Sequence, residues 1–261
     1  MRNILLTIAY DGTSFHGWQK QPERRTVQGV LEQTMSRLFN REILLAGTSR
    51  TDAGVHAYGQ RASFRTDINI PVEKLAMVVN NALCAGEGSI SGHGGFAKSP
   101  VRILKAEEMP EEFHARFDCK GKKYIYKIRT DADDESLVFE RNYVYHVRET
   151  LDAVAMNAAA GLLIGTHDFK SFEASGGNPR ETSVRTIFNA GIRSDSEGIE
   201  FSIEGDGFLY NMVRIITGTL VETGQGKRAP GDMKQVIEAA DRRVAGHTAP
   251  PNGLYLAEVY Y

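Results

Sequence analysis

The sequence predicts an α+β fold made of two similar halves, each with its elements in the order β-α-β-β-α-β. Two observations lead to this prediction. Strand-like alternation and helix-like spacing of apolar residues recur in that order twice along the chain. The 261 residues, 41% of them hydrophobic, also suffice for one large core or two moderate ones. We therefore expect two ferredoxin-like halves, residues 1–108 and 109–261, forming a long mixed, mostly antiparallel sheet with helices on one face.

The elements of the first half follow from apolar spacing and from residues that start helices. Asn3 to Tyr10 is predicted to be a strand, and a helix should begin behind a Thr26 cap. The apolar stripe of that helix is Val27, Val30, Leu31, Met35 and Leu38. Pro71 suits the first turn of a second helix, which should reach Leu83. The predicted short strands are residues 43–45, 60–64 and 101–106.

The second half repeats this order with longer connections and two additional elements. Its predicted strands are residues 142–147, 184–193, 199–203 and 254–261. Its predicted helices are residues 151–164 and 209–222. The additional elements are a strand at residues 122–128 and a helix near residues 233–243.

Composition excludes several classes of protein. The apolar run from Ile4 to Tyr10 is too short to span a membrane and lacks the cleavage pattern of a signal peptide, so we expect a cytoplasmic protein. Cys84 and Cys119 are the two cysteines, and their spacing is not that of metal ligands. We therefore expect reduced thiols and no zinc site.

The charge distribution is uneven although the net charge is only −2. Residues 113–130 carry six basic side chains and one acidic side chain, a local charge of +5. A basic patch on a near-neutral protein is typical of a surface that binds nucleic acid. Solvated strand faces would give the same pattern, so the stretch alone does not separate the two interpretations.

The most informative segment is Ser49 to Ala57, which reads SRTDAGVHA. Side chains two apart on an extended segment point the same way, so Arg50 can keep the Asp52 carboxylate ionised. The turn at Gly54 lets a ligand approach the backbone closely. Asp52 is therefore a candidate nucleophile. The spacing also fits an ordinary Asp-x-Gly turn in which Arg50 is a surface ion-pair partner.

Several further segments, taken in order, make the chain resemble the tRNA pseudouridine synthase A family. The matching segments are residues 10–19 (YDGTSFHGWQ), 49–57, 113–117 (FHARF) with Tyr124 beyond it, 165–169 (GTHDF), 208–214 (FLYNMVR) and 253–256 (GLYL). The resemblance covers nearly the whole chain. It implies an isomerase with the pseudouridine synthase fold, in which two RRM-like halves form a central RNA-binding cleft, and it implies that no cofactor and no metal take part.

The resemblance also implies that Asp52, Arg214 and Tyr124 are the catalytic residues. Asp52 would attack the nucleoside or remove a sugar proton. Arg214 would keep that carboxylate ionised, and Tyr124 would stack on the target uracil. Taken without the resemblance, Arg214 fits a surface-reaching arginine of an apolar helix, and Tyr124 fits an ordinary strand residue.

A uracil inside an RNA helix has to leave the stack before it can reach a carboxylate. Candidates for RNA contact combine aromatic rings with cations or lie in the matching segments. They are Arg50, Trp18, Lys20, His56, Gln60, Phe113, His114, Ala115, Arg116, Phe117, Ser171 and Phe172. Phe113 and Phe117 equally fit core positions, and Trp18 fits a cap over the sheet.

The resemblance implies a target and an assembly. The target would be the tRNA anticodon stem-loop at positions 38, 39 and 40, and the enzyme would act as a homodimer. Covalent attack and elimination both fit the residues, and the sequence does not choose between them.

Two other classes of function fit the sequence less well. Metal-assisted hydrolysis is suggested by His114, His146, His167 and Asp168, but no two histidines have helical spacing and no H-E-x-x-H motif occurs. A non-catalytic RNA-binding module would have no use for a carboxylate such as Asp52 at a surface that meets phosphates.

One region departs from the pattern of the family. Cys84 to Pro100 is rich in glycine and lacks periodicity, which favours a mobile inserted loop that catalysis does not need. Lys98 and Arg102 leave open the alternative of a second surface that contacts RNA.

Overall fold

The computed structural model describes residues 1–86, 99–130, 134–177 and 181–261. The chain divides into two compact units. The first is Met1–Lys120 together with Leu256–Tyr261, and the second is Gly121–Tyr255. Both units combine helices with mostly antiparallel strands, so the predicted α+β class is confirmed. The first unit takes in residues 109–120 and the last six residues in addition to the predicted 1–108.

The elements are numbered along the chain. The strands are β1 (Arg2–Tyr10), β2 (Ala46–Gly47), β3 (His56–Thr66), β4 (Val101–Met109), β5 (Gly121–Arg129), β6 (Tyr145–His146), β7 (Gly165–Asp168), β8 (Val184–Asp195), β9 (Gly198–Gly205) and β10 (Leu254–Tyr260). The helices are α1 (Val27–Phe39), α2 (Val72–Gly86), α3 (Asp134–Phe139), α4 (Ala153–Gly161), α5 (Met212–Gly224) and α6 (Asp232–Ala239). None of the helices in the described ranges is long and apolar enough to cross a membrane.

In the first unit, β1 lies between β3 and β4 and is antiparallel to both. β2 and β10 lie beside β3. The order β4-β1-β3-β2 matches the predicted split β-α-β arrangement. Helix α2 packs against β4 and α1. Apolar side chains of β1 and α1 form the core and are fully buried: Ile4, Leu5, Leu6, Ile8, Leu31 and Met35.

Helix α1 begins where the sequence predicts. The Thr26 side chain accepts a hydrogen bond from the Gly29 backbone N–H at 3.3 Å, which satisfies one of the unpaired donors of the first turn. The helix ends at Asn40, whose backbone is left-handed with φ 51°. This helix lies directly before the segment that carries Asp52.

In the second unit, β9 lies between β5 and β8 and is antiparallel to both. β7 continues the sheet beyond β8, and β6 pairs with β5 in the parallel sense. Helix α4 packs against β8 and α5. The largest fully buried side chains here are Tyr126, Phe169, Phe172 and Phe201.

Two predicted strands are wrong or much shorter in the structure, for the same physical reason. The strand predicted at residues 43–45 does not form, because the Gln28 and Glu32 side chains of α1 bond the backbone of Leu45. The strand predicted at residues 142–147 shrinks to β6, because side chains of the 252–255 region take nearby carbonyls. In both places a side chain replaces a neighbouring strand as the hydrogen-bond partner.

Helix ends differ from prediction at four places. The helix predicted at 151–164 is only α4, which starts after an Asp152 cap. α5 starts three residues later than predicted, and α6 ends at the left-handed Ala240. α2 continues three residues past Leu83. Most of the predicted loop at 84–100, residues 87–98, lies outside the described residues. The four-residue strand β7 was not predicted.

Candidate active site

The Asp52 loop, residues 48–55, connects β2 to β3 in the first unit. The Asp52 side chain is half-buried, whereas Arg50 is exposed. The Val55 N–H donates to the Asp52 carbonyl at 3.2 Å, and Gly54 takes a left-handed φ of 78° between them. The predicted tight turn therefore exists, and it holds the Asp52 backbone in a defined conformation.

Segment 10–18 presses directly against this loop. The backbone N–H of Trp18 donates to the Thr51 carbonyl at 3.1 Å, and the Tyr10 hydroxyl lies 2.7 Å from Thr51 Oγ1. A Cβ on Gly17 would stand 2.5 Å from the Thr51 carbonyl oxygen, and one on Gly12 would stand 2.0 Å from the Val55 oxygen. Only glycine permits such backbone-to-backbone contact. This contact explains why glycine is needed at positions 12 and 17 of the YDGTSFHGWQ segment.

His56 and Gln60 lie beneath the loop and have almost no exposed surface. His56 Nδ1 accepts a hydrogen bond from the Gly12 N–H at 3.0 Å, which requires that this nitrogen carry no proton. Gln60 bonds the backbone of Ser49. We expected both side chains to contact RNA. Both are buried and bond backbone groups, His56 at Gly12 and Gln60 at Ser49, and RNA contact by either stays a prediction.

Trp18 is also buried, with 2% of its surface exposed. Its indole lies over Gly47, where an added Cβ would come within 2.2 Å of Nε1. The ring therefore covers the sheet at β2, as the structural alternative expects, and its contact with RNA stays a prediction. Lys20 is largely exposed but forms an ion pair at 3.4 Å with the buried Glu32 carboxylate.

Residues 113–117 divide into an inward and an outward part. Ala115 is fully buried, and its carbonyl accepts hydrogen bonds from Thr48 Oγ1 and from the Tyr261 hydroxyl, each at 3.0 Å. Phe113 packs edge-on against the Tyr261 ring at 5.0 Å. Burial raises the pKa of Tyr261 to about 12, and the hydrogen bond with Thr48 offsets only part of this effect. The segment is thus joined to the start of the Asp52 loop.

The outward part is a small aromatic and basic surface formed by His114, Arg116 and Phe117. Phe117 is 75% exposed, an unusual environment for a large apolar ring. The His114 ring lies 4.3 Å from it, and the Arg116 guanidinium lies 5.9 Å from its centre. Such a group can stack on a base and meet a phosphate. Phe117 is therefore not a core residue.

Tyr124 lies on β5 in the second unit, opposite Ile203 of β9. It is 8% exposed, and its ring packs edge-on against Phe208 at 5.1 Å. Two residues further along, Tyr126 donates to the Pro250 carbonyl at 2.6 Å. Burial raises the pKa of Tyr126 well above its ordinary value. Both tyrosines are buried, and the Tyr126 hydroxyl additionally bonds the backbone of Pro250.

Arg214 lies in the first turn of α5 and is half-buried. Its Nη1 donates to Asn211 Oδ1 at 2.8 Å, and its Nε donates to the Ala249 carbonyl at 2.7 Å. The Ala249 N–H in turn donates to the Arg214 carbonyl at 3.1 Å. An arginine held in this way presents a charged fork in a fixed direction.

Comparison with known proteins decides the family. A family model described as tRNA pseudouridine synthase matches residues 6–118 and 159–261. The chain belongs to the tRNA pseudouridine synthase family. It is accordingly an isomerase.

Relatives match the synthase from end to end. The tRNA pseudouridine synthase A 2 of Clostridium tetani is 44% identical over 262 residues, which cover 100% of this chain and 99% of the relative. The tRNA pseudouridine synthase A of Ruminiclostridium cellulolyticum is 44% identical over 262 residues, covering 100% of both chains. That of Bacillus pumilus is 43% identical over 260 residues, covering 99% of this chain and 98% of the relative.

Ser171 and Phe172 of the synthase have no exposed surface. The Ser171 hydroxyl accepts from the Asp241 N–H at 2.8 Å, and Phe172 packs against Phe169 at 6.0 Å. Both residues belong to the core of the second unit, and the expected contact with RNA stays a prediction. Within the described residues, no three His, Cys, Asp or Glu side chains are grouped as metal ligands would be.

Sequence reasoning missed Thr48, Asn211 and Ala249, each of which bonds a site segment directly. Thr48 also bonds the Arg61 carbonyl at 3.0 Å, so it connects the Asp52 loop to β3. A signal for Asn211 was present, because an asparagine three residues before an arginine at a helix start can reach its side chain. Ala249 acts through its backbone, so its side chain gave no signal.

Proposed function

We propose that this synthase isomerises uridine to pseudouridine at positions 38, 39 and 40 of the tRNA anticodon stem-loop, with Asp52 as the nucleophile. One observation carries the proposal: a half-buried carboxylate stands on a loop whose backbone is hydrogen-bonded before it, at Ser49 and Thr51, and after it, at Gly54. Supporting hydrogen bonds of this kind hold a reactive group in a fixed position, whereas an ordinary surface turn does not need them.

The reaction breaks the N1–C1′ bond, turns the base, and joins C1′ to C5. Asp52 either forms a transient bond to the nucleoside or removes a sugar proton, and a base then removes the C5 proton. Product and substrate are isomers, so the reaction consumes no oxidant and no phosphate energy. We therefore propose that no cofactor is required.

Arg214 and Tyr124 complete the proposed site. Two hydrogen bonds orient the Arg214 guanidinium, and a guanidinium keeps a carboxylate ionised over the whole working pH range. Tyr124 offers a ring already fixed by Phe208, suited to stacking on an extruded uracil. Resemblance to the family supplies both roles, and the local geometry agrees with them.

RNA binding is proposed for the surface formed by His114, Arg116 and Phe117, together with the exposed Arg50. A site that serves three adjacent positions has to tolerate different sequences, so it should rely on shape and phosphate contacts. The relatives are named as tRNA pseudouridine synthases, which favours tRNA as the substrate here. We further propose a cytoplasmic homodimer.

Sequence-resolved pseudouridine mapping in cells that lack the gene tests this function. Wild type should restore modification at positions 38, 39 and 40, and Asp52→Asn should restore none while keeping its fold and most of its tRNA affinity. Asp195→Asn, which changes an exposed aspartate of the β8–β9 hairpin, is the matched control and should behave as wild type. Product confined to another tRNA arm would refute the target, and product formed by Asp52→Asn would refute the nucleophile.

Assembly needs its own measurement. Light scattering of the purified synthase at assay concentration should give the mass of two chains, and with tRNA the mass of two chains plus the bound tRNA. A fully active monomer of 28.9 kDa would remove the dimer from the proposal.

A further inference from the structure

Asn211 has an unusual backbone for its position. It is the residue before α5 and has a left-handed conformation, with φ 59° and ψ 8°. Non-glycine residues adopt this region uncommonly, although asparagine tolerates it better than most. An asparagine at the start of a helix usually accepts a hydrogen bond from a backbone N–H of the first turn. Asn211 makes no such capping bond.

The Asn211 side chain is used differently. Its Oδ1 accepts from Nη1 of Arg214 at 2.8 Å, one turn along the helix. A neutral amide accepts this bond without cancelling the charge of the guanidinium. A carboxylate in the same place would form an ion pair and compete with any other carboxylate for the cation.

The second contact of Arg214 is equally fixed. Ala249, whose carbonyl accepts from Nε, belongs to the strap, which we define as residues 245–250. The Gly246 N–H donates to Thr219 Oγ1 at 2.9 Å, and the His247 N–H donates to Glu222 Oε1 at 3.0 Å. A Cβ on Gly218 would lie 1.9 Å from the His247 carbonyl oxygen, so the strap runs in direct contact with α5.

We propose that Asn211 is a positioning residue of the synthase. Together with the Ala249 carbonyl, its side-chain amide sets the direction of the Arg214 guanidinium. Two acceptors on different segments hold the guanidinium at Nε and at Nη1, and removal of the Asn211 amide releases the hold at Nη1. The inference rests on the proposed function, in which Arg214 acts on the catalytic carboxylate. A purely structural role for Asn211 would concern only the left-handed backbone at the helix start.

Asn211→Gly separates these roles, because glycine adopts the left-handed conformation without strain and lacks only the side chain. We expect the thermal midpoint and the tRNA Kd to stay near wild type while kcat falls roughly tenfold to a hundredfold, as for other misplaced catalytic groups. Asn40→Gly is the matched control, since Asn40 has the same conformation at the end of α1, with φ 51°. It should leave kcat unchanged. A kcat of Asn211→Gly within twofold of wild type would overturn the proposal.

Asn211→Asp provides a second test that does not depend on stability. The new carboxylate still accepts from Nη1 but draws on the charge of Arg214, so the acid limb of the kcat pH profile should move to higher pH. Asn40→Asp should leave the profile in place. If Asn211→Gly proves too unstable to assay, an unmoved acid limb in Asn211→Asp overturns the proposal alone.

NMR of the Arg214 Nε–H group distinguishes failure of this inference from failure of the proposed function. The resonance, assigned by its loss in Arg214→Lys, should exchange slowly with water in the wild type and at least severalfold faster in Asn211→Gly. Turnover by Asp52→Asn together with this change would refute the nucleophile and leave the positioning contact intact. Inactive Asp52→Asn, with wild-type exchange and kcat in Asn211→Gly, would refute the positioning role alone.

Discussion

The side-chain amide of Gln60 bonds both backbone groups of Ser49, three residues before Asp52. Its Nε2 donates to the Ser49 carbonyl at 2.7 Å, and its Oε1 accepts from the Ser49 N–H at 3.2 Å. The same oxygen accepts from the Arg61 N–H at 3.1 Å. One buried side chain of β3 therefore takes the place of a neighbouring strand at the start of the Asp52 loop.

Replacing Gln60 by leucine should weaken the fold and the reaction together. Leucine fills a similar volume but leaves buried backbone groups without partners, at a cost of about 1–3 kcal/mol for each. We expect a lower free energy of unfolding in urea and a lower kcat, with Gln33→Leu on the exposed side of α1 as the control. Wild-type kcat in a measurably destabilised Gln60→Leu would show that the loop does not depend on this amide.

The two substitutions Tyr124→Phe and Tyr124→Ala should differ in both stability and turnover. Phenylalanine keeps the ring contact with Phe208, so stacking on the base should largely survive. Alanine removes a buried ring, which costs about 3–5 kcal/mol of unfolding free energy. Single-turnover rates should therefore rank wild type, Phe, then Ala. Equal rates for all three folded proteins would rule out a base-stacking role.

Phe117→Ala and Arg116→Gln should weaken tRNA binding in distinguishable ways. Loss of a stacked ring costs about 1–3 kcal/mol of binding free energy and leaves the salt dependence unchanged. Loss of a phosphate contact should reduce the slope of log K against log salt by about 1. Phe139→Ala, which removes another highly exposed phenylalanine, is the control. Tight, wild-type binding by Phe117→Ala would remove this surface from the proposed RNA interface.

Glu222 should make the free energy of unfolding decrease as the solution becomes acidic. Burial raises the pKa of this carboxyl, but hydrogen bonds from Arg228 and His247 outweigh burial and lower the pKa below the ordinary 4.5. The ionised form therefore stabilises the fold above that ordinary value, and the contribution is lost as pH falls through the folded pKa. His247 Nε2 also lies 3.3 Å from the Tyr145 hydroxyl, so the three side chains form one cluster.

Urea unfolding as a function of pH tests this. The difference in unfolding free energy between wild type and Glu222→Gln should be constant near neutral pH. It should become smaller as the pH falls below the ordinary carboxyl pKa of 4.5. Glu238→Gln, which changes a glutamate exposed on α6, should show no such narrowing. A wild-type advantage that persists undiminished into strong acid would contradict the assignment of the low pKa to Glu222.

The fold was predictable wherever a segment carries its own signals. Thr26 and the stripe behind it place the start of α1 correctly, because cap and spacing act within a few residues. The strand expected at residues 43–45 fails because Glu32, thirteen residues before Leu45, takes its N–H. Competition of this kind depends on tertiary contact and leaves no trace in local periodicity.

The candidate site shows the same division. The turn after Asp52 follows from Gly54, and the structure has it. The burial of Trp18, His56 and Gln60 could not be read from the sequence, since a polar or aromatic side chain in a motif looks the same whether it faces RNA or a backbone. The spacing of Asn211 and Arg214 was visible in the sequence, but the left-handed φ of Asn211 was not.

The strand β10 has a consequence for how the protein is made. Residues 256–261 belong to the first unit, beside β3, and Tyr261 bonds Thr48 at the base of the Asp52 loop. On the ribosome, residues 1–120 emerge long before residues 256–261. Part of the β3 edge is therefore unpaired in the meantime. An exposed strand edge invites pairing with other chains. The nascent synthase is therefore most prone to aggregate during translation of its second unit, and the loop that carries Asp52 gains its contact with Tyr261 only after that unit has been made.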